Sequence, residues 1–117
     1  MMQIIKGSTG KLTHTFYSYW SGQESSSIRA NLAGATITTY FKARSSDPDT
    51  AILLTKSGTV TDAVNGLAET ALAASDTNAL SYTKMVRETI AKLADGVTYI
   101  REVEEFELLA NVKKTLP

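Results

Sequence analysis

Apolar and polar positions alternate along residues 11–20. Leu12, His14, Phe16, Ser18 and Trp20 share one face of an extended chain, and Thr13, Thr15, Tyr17 and Tyr19 share the other. This is the signature of a half-buried strand, opened by Gly7 and Gly10 and closed by Ser21-Gly22. The polar stretch Gln23-Glu24-Ser25-Ser26-Ser27 has too little apolar surface to order itself by burial and reads as the mobile loop, with the ordering of Ser21 to Ile28 on assembly left open by the sequence. Ala33-Gly34 then turns the chain into the most regular alternation, residues 35–44. There Ala35, Ile37, Thr39, Phe41 and Ala43 oppose Thr36, Thr38, Tyr40, Lys42 and Arg44.

Ser45-Ser46-Asp47-Pro48-Asp49 is a turn by chemistry, since proline fixes φ and the flanking side chains can bond nearby amides. A short strand over residues 51–55 leads through Lys56-Ser57-Gly58 into a hairpin. Thr59, Val60, Thr61 and Val64 suit a pleated surface, Asn65-Gly66 suits the positive φ angles of a tight turn, and residues 67–72 return. The hairpin makes Asn65 and Gly66 the structural turn of the chain. Ser75-Asp76-Thr77-Asn78 predicts a compact corner ahead of Leu80, a plug at the core edge. Residues 81–93 fit either a strand (Tyr82, Lys84, Val86, Glu88, Ile90) or a helix face (Met85, Val86, Thr89, Ile90, Leu93); β-propensity favours the strand, with a short helical turn allowed at residues 91–94. Asp95-Gly96 is a further turn. A long apolar run over residues 97–109 breaks at Glu102–Glu105, where a bulge could reset the inward face, and the tail from Asn111 to Pro117 should fray or dock on a partner.

About seven short strands in 117 residues predict a single all-β domain spanning residues 1–117, a sandwich or a barrel rather than a doubly wound fold. The absence of cysteine excludes disulfides, thiolate nucleophiles and an antibody-type Cys-Trp-Cys core, though not a wider immunoglobulin-like architecture. Twelve basic against twelve acidic residues leave no net field toward phosphate backbones or anionic lipid, so nucleic acid is not an expected partner. No apolar run approaches a bilayer span, and Met1-Met2-Gln3-Ile4-Ile5-Lys6-Gly7 lacks the head and centre of a secretory leader. The expectation is synthesis in a cytoplasm and no membrane association.

Reactive chemistry is sparse. A lone His14 can build neither a metal site nor a triad unaided and reads as a structural histidine. No phosphate loop, dinucleotide fingerprint or nucleophile elbow is present. Glu102, Glu104, Glu105 and Glu107 read as a solvated strand edge rather than a catalytic pair, and Asp47, Asp49, Asp62 and Asp76 as turn residues rather than calcium ligands. The expectation is therefore no catalytic, metal or cofactor-binding residue and no enzyme. Tyr17, Tyr19, Trp20 and Tyr40 fall opposite or beside the core-facing positions and form a candidate outward aromatic interface.

The order of these features resembles a known family. A Gly-opened first strand, Leu32-Ala33-Gly34-Ala35-Thr36-Ile37 leading the next, Thr61-Asp62-Ala63-Val64-Asn65-Gly66, Ser75-Asp76-Thr77 with Leu80, a Tyr82 strand and a final Phe106 strand are similar to the N-terminal immunoglobulin-like domain of the phage upper baseplate protein family (BppU) and its small prophage relatives. The resemblance spans nearly the whole chain. It implies an immunoglobulin-like antiparallel β-sandwich and a bacteriophage or prophage structural protein, a tail or baseplate adaptor located in the virion and made in the host bacterial cytoplasm. It further implies binding to other tail or baseplate proteins and homo-oligomerisation, since virion parts repeat by symmetry. The alternative from the aromatic positions is a carbohydrate-binding or receptor-recognition module.

Overall fold

Alternating β-branched, aromatic and polar residues set most of the chain as strand. The computed structural model describes residues 2–111. In chain order the elements are β1 (Met2–Ile5), β2 (Gly10–Thr15), β3 (Tyr17–Tyr19), a 3₁₀ turn (Glu24–Ser26), β4 (Ile28–Arg29), β5 (Thr36–Lys42), a 3₁₀ turn (Asp49–Ala51), β6 (Leu54–Asp62), β7 (Leu67–Leu72), α1 (Ala74–Ala79), β8 (Lys84–Lys92) and β9 (Tyr99–Leu109). Seven strands form one sheet in the order β1-β9-β8-β5-β6-β7-β2, and β3 and β4 form a separate ribbon. Every neighbouring pair is antiparallel except β1 and β9, which run parallel, so the sheet is mixed.

The sheet curls almost shut because β6 serves two neighbours in succession. Its residues 54–58 pair with β5, and Thr59, Val60 and Asp62 pair with β7. The change of partner falls at Gly58, where a Cβ would lie 2.7 Å from Ile37 Cγ2 and 2.8 Å from the Glu69 carbonyl. Only glycine lets the layers meet this closely at the corner. On the opposite side β1 lies against the end of β9, and Ile4 packs so tightly on Gly10 of β2 that a Cβ there would clash with it.

Inside, alternation yields three levels. At one end Leu12, Phe41, Leu72, Leu80, Met85, Phe106 and Leu108 form an apolar cluster, with Phe41 and Phe106 edge to face at 5.3 Å. At the other end Phe16, Ala30, Leu32, Ile37, Ala68 and Ala91 form a second. Between them the inward positions are polar: His14, Thr39, Thr70, Arg87 and Thr89, all buried.

The all-β class predicted from the sequence is what the chain adopts, with several local differences. The strand read over residues 11–20 splits at Phe16, whose N–H donates to the Gly66 carbonyl and whose carbonyl accepts from Ala30, so the chain leaves β7 there. Of the separate strand read over residues 51–55 only Leu54 and Thr55 are strand, and they open a continuous β6, because Ala51 closes the 3₁₀ turn and Gly58 changes the strand's partner without ending it. No helical turn occurs at residues 91–94. The strand runs to Lys92, pairing Ala91 with Ile100 and Lys92 with Tyr99, and the short helix lies instead at the corner Ala74–Ala79, where Asp76 accepts from the Ala73 N–H at 2.8 Å. Nor does a bulge interrupt β9, which pairs with β8 residue for residue from Tyr99 to Glu107 and keeps Ile100, Glu102, Glu104, Phe106 and Leu108 on one face. Residues 2–5, considered in the sequence only as a leader, form the parallel edge strand. The loop from Ser21 to Ile28 is tied by its own serines, with Ser27 Oγ donating to the Gln23 carbonyl. The tail, residues 112–117, lies outside the described residues.

Replacing Phe41, fully buried and edge to face with Phe106, with alanine should lower stability by about 3–5 kcal/mol. Urea unfolding measures this, and a loss below about 1 kcal/mol would contradict the inward face assigned to β5.

Candidate functional site

The polar level of the interior is a closed ring of hydrogen bonds. Arg87 Nη1 donates to Thr89 Oγ1 at 3.1 Å and to Glu102 Oε1 at 2.7 Å. Thr89, Thr39 and Thr70 continue as a chain of hydroxyls (2.8 and 3.1 Å) to His14 Nε2 at 2.8 Å, and His14 Nδ1 meets Glu102 Oε1 at 3.0 Å. A carboxylate can only accept, so His14 carries a proton on Nδ1. A guanidinium can only donate, so Thr89 accepts from Arg87 and passes its own proton to Thr39. The hydroxyls then all point one way, and Thr70 donates to His14 Nε2. Each residue of the ring finds partners, as burial demands of polar groups, and Arg87 Nε is the one buried side-chain nitrogen or oxygen among the described residues left without one.

Glu102 is also the link across the open side of the sheet. Its Oε2 accepts the Thr15 N–H of β2 at 3.1 Å, standing in for main-chain pairing that β2 and β9 lack. Burial pushes the Glu102 carboxyl toward the neutral form, but the hydrogen bonds from His14, Arg87 and Thr15 and the Arg87 charge outweigh it and hold the pKa below the ordinary glutamate value. Arg87 Nη2 also lies 3.4 Å from Glu104 Oε1. Glu102 and Glu104 are thus not the solvated edge predicted from the sequence: both face inward, because the parity of β9 that buries Phe106 carries them there. The structural reading of His14 agrees with its place in the ring.

The predicted aromatic residues separate into two places. Tyr17 and Trp20 meet at 4.7 Å between ring centroids, Arg29 lies over Tyr17 at 5.5 Å, and Tyr19 pairs with Ile28. Tyr19, Trp20 and Ile28 are all more than half exposed, an apolar surface on a two-stranded ribbon. Tyr40 is elsewhere, in a groove on the outer face of β5, β8 and β9 with Val86, Ile90, Val103 and the ion pairs Lys42–Asp49 and Arg101–Glu88.

The turn at Asn65-Gly66 is the base on which the ribbon sits. Four residues, 63–66, join β6 to β7. Gly66 has φ +68°, and a Cβ there would stand 2.6 Å from the Phe16 carbonyl and 2.9 Å from that of Ala30, the residues that lead into β3 and out of β4. Arg29 Nη1 donates to the Asn65 carbonyl at 3.0 Å. Only Gly66 takes the positive φ predicted for the pair; Asn65 keeps a negative φ and contributes instead through its side chain, donating to Asp62 Oδ2 at 2.8 Å. Val64, read as part of the strand, is exposed in this turn.

The four turn aspartates are engaged locally: Asp47 with the Arg44 N–H, Asp49 with Lys42, Asp62 with Asn65, and Asp76 with Ala73 and Lys56. Among the described residues no group of three or more His, Cys, Asp or Glu side chains could hold a metal ion. Among the same residues no helix is long and apolar enough to cross a membrane. A scan of the chain against protein-family models and a comparison with curated proteins return no match.

Glu102→Ala should cost about 3 kcal/mol, because it leaves the Arg87 guanidinium, 2 % exposed, without its nearest carboxylate. The Arg87→Met/Glu102→Leu double variant should lose less than the two single changes summed, measured by urea unfolding. Since folding lowers the Glu102 pKa, its contribution is fully present above the ordinary glutamate range and is lost as pH falls through the lower folded value. Glu102→Gln should therefore flatten the acid limb of the stability curve. Gly66→Val should destabilise the protein and shift Trp20 emission together, because the turn supports the ribbon; wild-type stability and emission would remove that coupling.

Proposed function

We propose that this chain is a non-enzymatic bacteriophage or prophage structural protein, an adaptor of the tail or baseplate that binds other virion proteins. The observation that supports this reading most is the exposed Tyr19–Trp20–Ile28 surface, carried on a ribbon fixed by main-chain bonds to the Gly66 turn. An apolar surface on a stiff base suits lasting contact between proteins, since little ordering entropy is lost on binding. The stretches that carry the resemblance are Leu32-Ala33-Gly34 ahead of β5, Thr61 to Gly66 at the hairpin, Ser75-Asp76-Thr77 in α1 and Leu80 in the core. On this reading the two layers joined through β6 form an immunoglobulin-like sandwich, copies of the chain assemble by symmetry, and neither nucleic acid nor a membrane is a partner.

The second reading, a carbohydrate-binding or receptor-recognition module, draws on the Tyr17–Trp20 pair, whose rings could stack on a sugar face. Tyr40 lies outside that cluster and would not share in it.

Immunogold labelling of phage particles induced from the source strain tests the first reading, with label expected at the tail tip or baseplate. Intact tails without label, using an antibody shown to recognise the native fold, would overturn it. Glycan-dependent quenching of Trp20 fluorescence would move the second reading ahead.

A further inference from the structure

Along β9 the backbone groups of odd-numbered residues point away from β8. The Leu109 carbonyl accepts from Lys6 on the β1 side at 2.7 Å, whereas the Leu108 N–H donates to Thr83 on the β8 side at 2.7 Å. Pairing with β1 starts only at Met2 opposite Phe106. Tyr99, Arg101 and Val103 therefore present N–H and C=O groups with no main-chain partner among the described residues. β2 does not take them up, since the Thr15 N–H goes to the Glu102 carboxylate.

We infer that this edge of β9 is a docking site for an extended strand of a partner protein, basic at the positions that face the interlayer side and apolar at those that face outward. Main-chain pairing with Tyr99, Arg101 and Val103 supplies the attachment, and the side chains beside it set the sequence. On the inward side Glu102 and Glu104 flank the free edge. On the outward side Val103 continues into the groove formed by Tyr40, Val86 and Ile90. Arg87 brings one positive charge against the two negative charges of Glu102 and Glu104, so the inward side of this edge stays acidic, while on the outward side Arg101 is held by Glu88.

The same charges disfavour a second copy as the occupant. Two β9 strands paired antiparallel about a two-fold axis through residue 102 or 103 place Glu102 opposite Glu102 or Glu104 of the other copy, like charges directly across a strand pair. Inward-pointing charge on an edge is a device against self-pairing. It also selects for a strand of opposite charge.

The inference deepens the assembly reading and rests on it for its biological setting, but its test uses the isolated protein and a synthetic strand, so it can fail without touching the immunogold result. The probes are two capped octapeptides, one alternating Lys and Val and one alternating Glu and Val, added to ¹⁵N-labelled protein. Amide hydrogen exchange should be fast at Arg101 and Val103 in the free protein and at least tenfold slower with the Lys-Val peptide, with no slowing by the Glu-Val peptide. Val103→Pro, which removes an N–H that β8 does not use, should weaken binding at least tenfold, with circular dichroism confirming the fold; Glu104→Lys should reverse the preference between peptides. Equal binding of both peptides, undiminished binding by Val103→Pro, peptide binding without protection of Arg101 and Val103, or dimerisation of the free protein through these amides would each overturn the proposal.

Discussion

The pairing of Arg87 with Glu102 in the middle of the interior is the constraint on which the other elements depend. A guanidinium 2 % exposed is tolerable only where carboxylates and hydroxyls meet it, here Glu102, Glu104 and Thr89, and the ring that holds those partners draws on five strands: Glu102 on β9, Thr89 on β8, Thr39 on β5, Thr70 on β7 and His14 on β2. Slipping any one strand by a single residue would move its member to the outer face and leave the rest unsatisfied. The apolar clusters at either end reward burial in many arrangements. The ring between them accepts one.

Such a ring adds little net stability over a well-packed apolar level, because desolvating the charges offsets much of their attraction. Its effect falls on register and on the closure of the sheet. Glu102 holds β2 where main-chain pairing is absent, and the β6–β7 hairpin at the next level carries the aromatic ribbon on Gly66. The interior charge pair and the outer apolar surface are thus connected through β7, whose Thr70 belongs to the ring and whose first residue, Leu67, follows the turn.

Much of this was legible in the sequence. Alternation placed Leu12, His14 and Phe16, then Ile37, Thr39 and Phe41, then Ala68, Thr70 and Leu72 on common faces, and in each triplet the middle residue is polar. Aligned across strands, those middle residues are the ring. What hid it was residues 81–93, where period alone did not separate helix from strand and Arg87 carried no mark of being buried. The acidic run of β9 was equally deceptive, because glutamate at alternate positions describes a solvated edge as well as a buried partner until its cation is known. The role of Asn65-Gly66 as the support of a ribbon was out of reach for a different reason: the contacts of Gly66 with Phe16 and Ala30 are remote in sequence. The parallel β1 left no local signature, since its four residues acquire meaning only beside β9.

That parallel strand also bears on how the molecule comes into being. Met2–Ile5 leaves the ribosome well ahead of residues 106–109, with which it pairs. The hairpins β5–β6 and β6–β7 can form while the chain is still growing, but β1 must wait, its Met2 and Ile4 side chains without their final neighbours, until β9 has been made. Closing so large a loop makes this a late and slow contact. Until β1 docks, the edge of β9 that faces away from β8 is bare along its whole length.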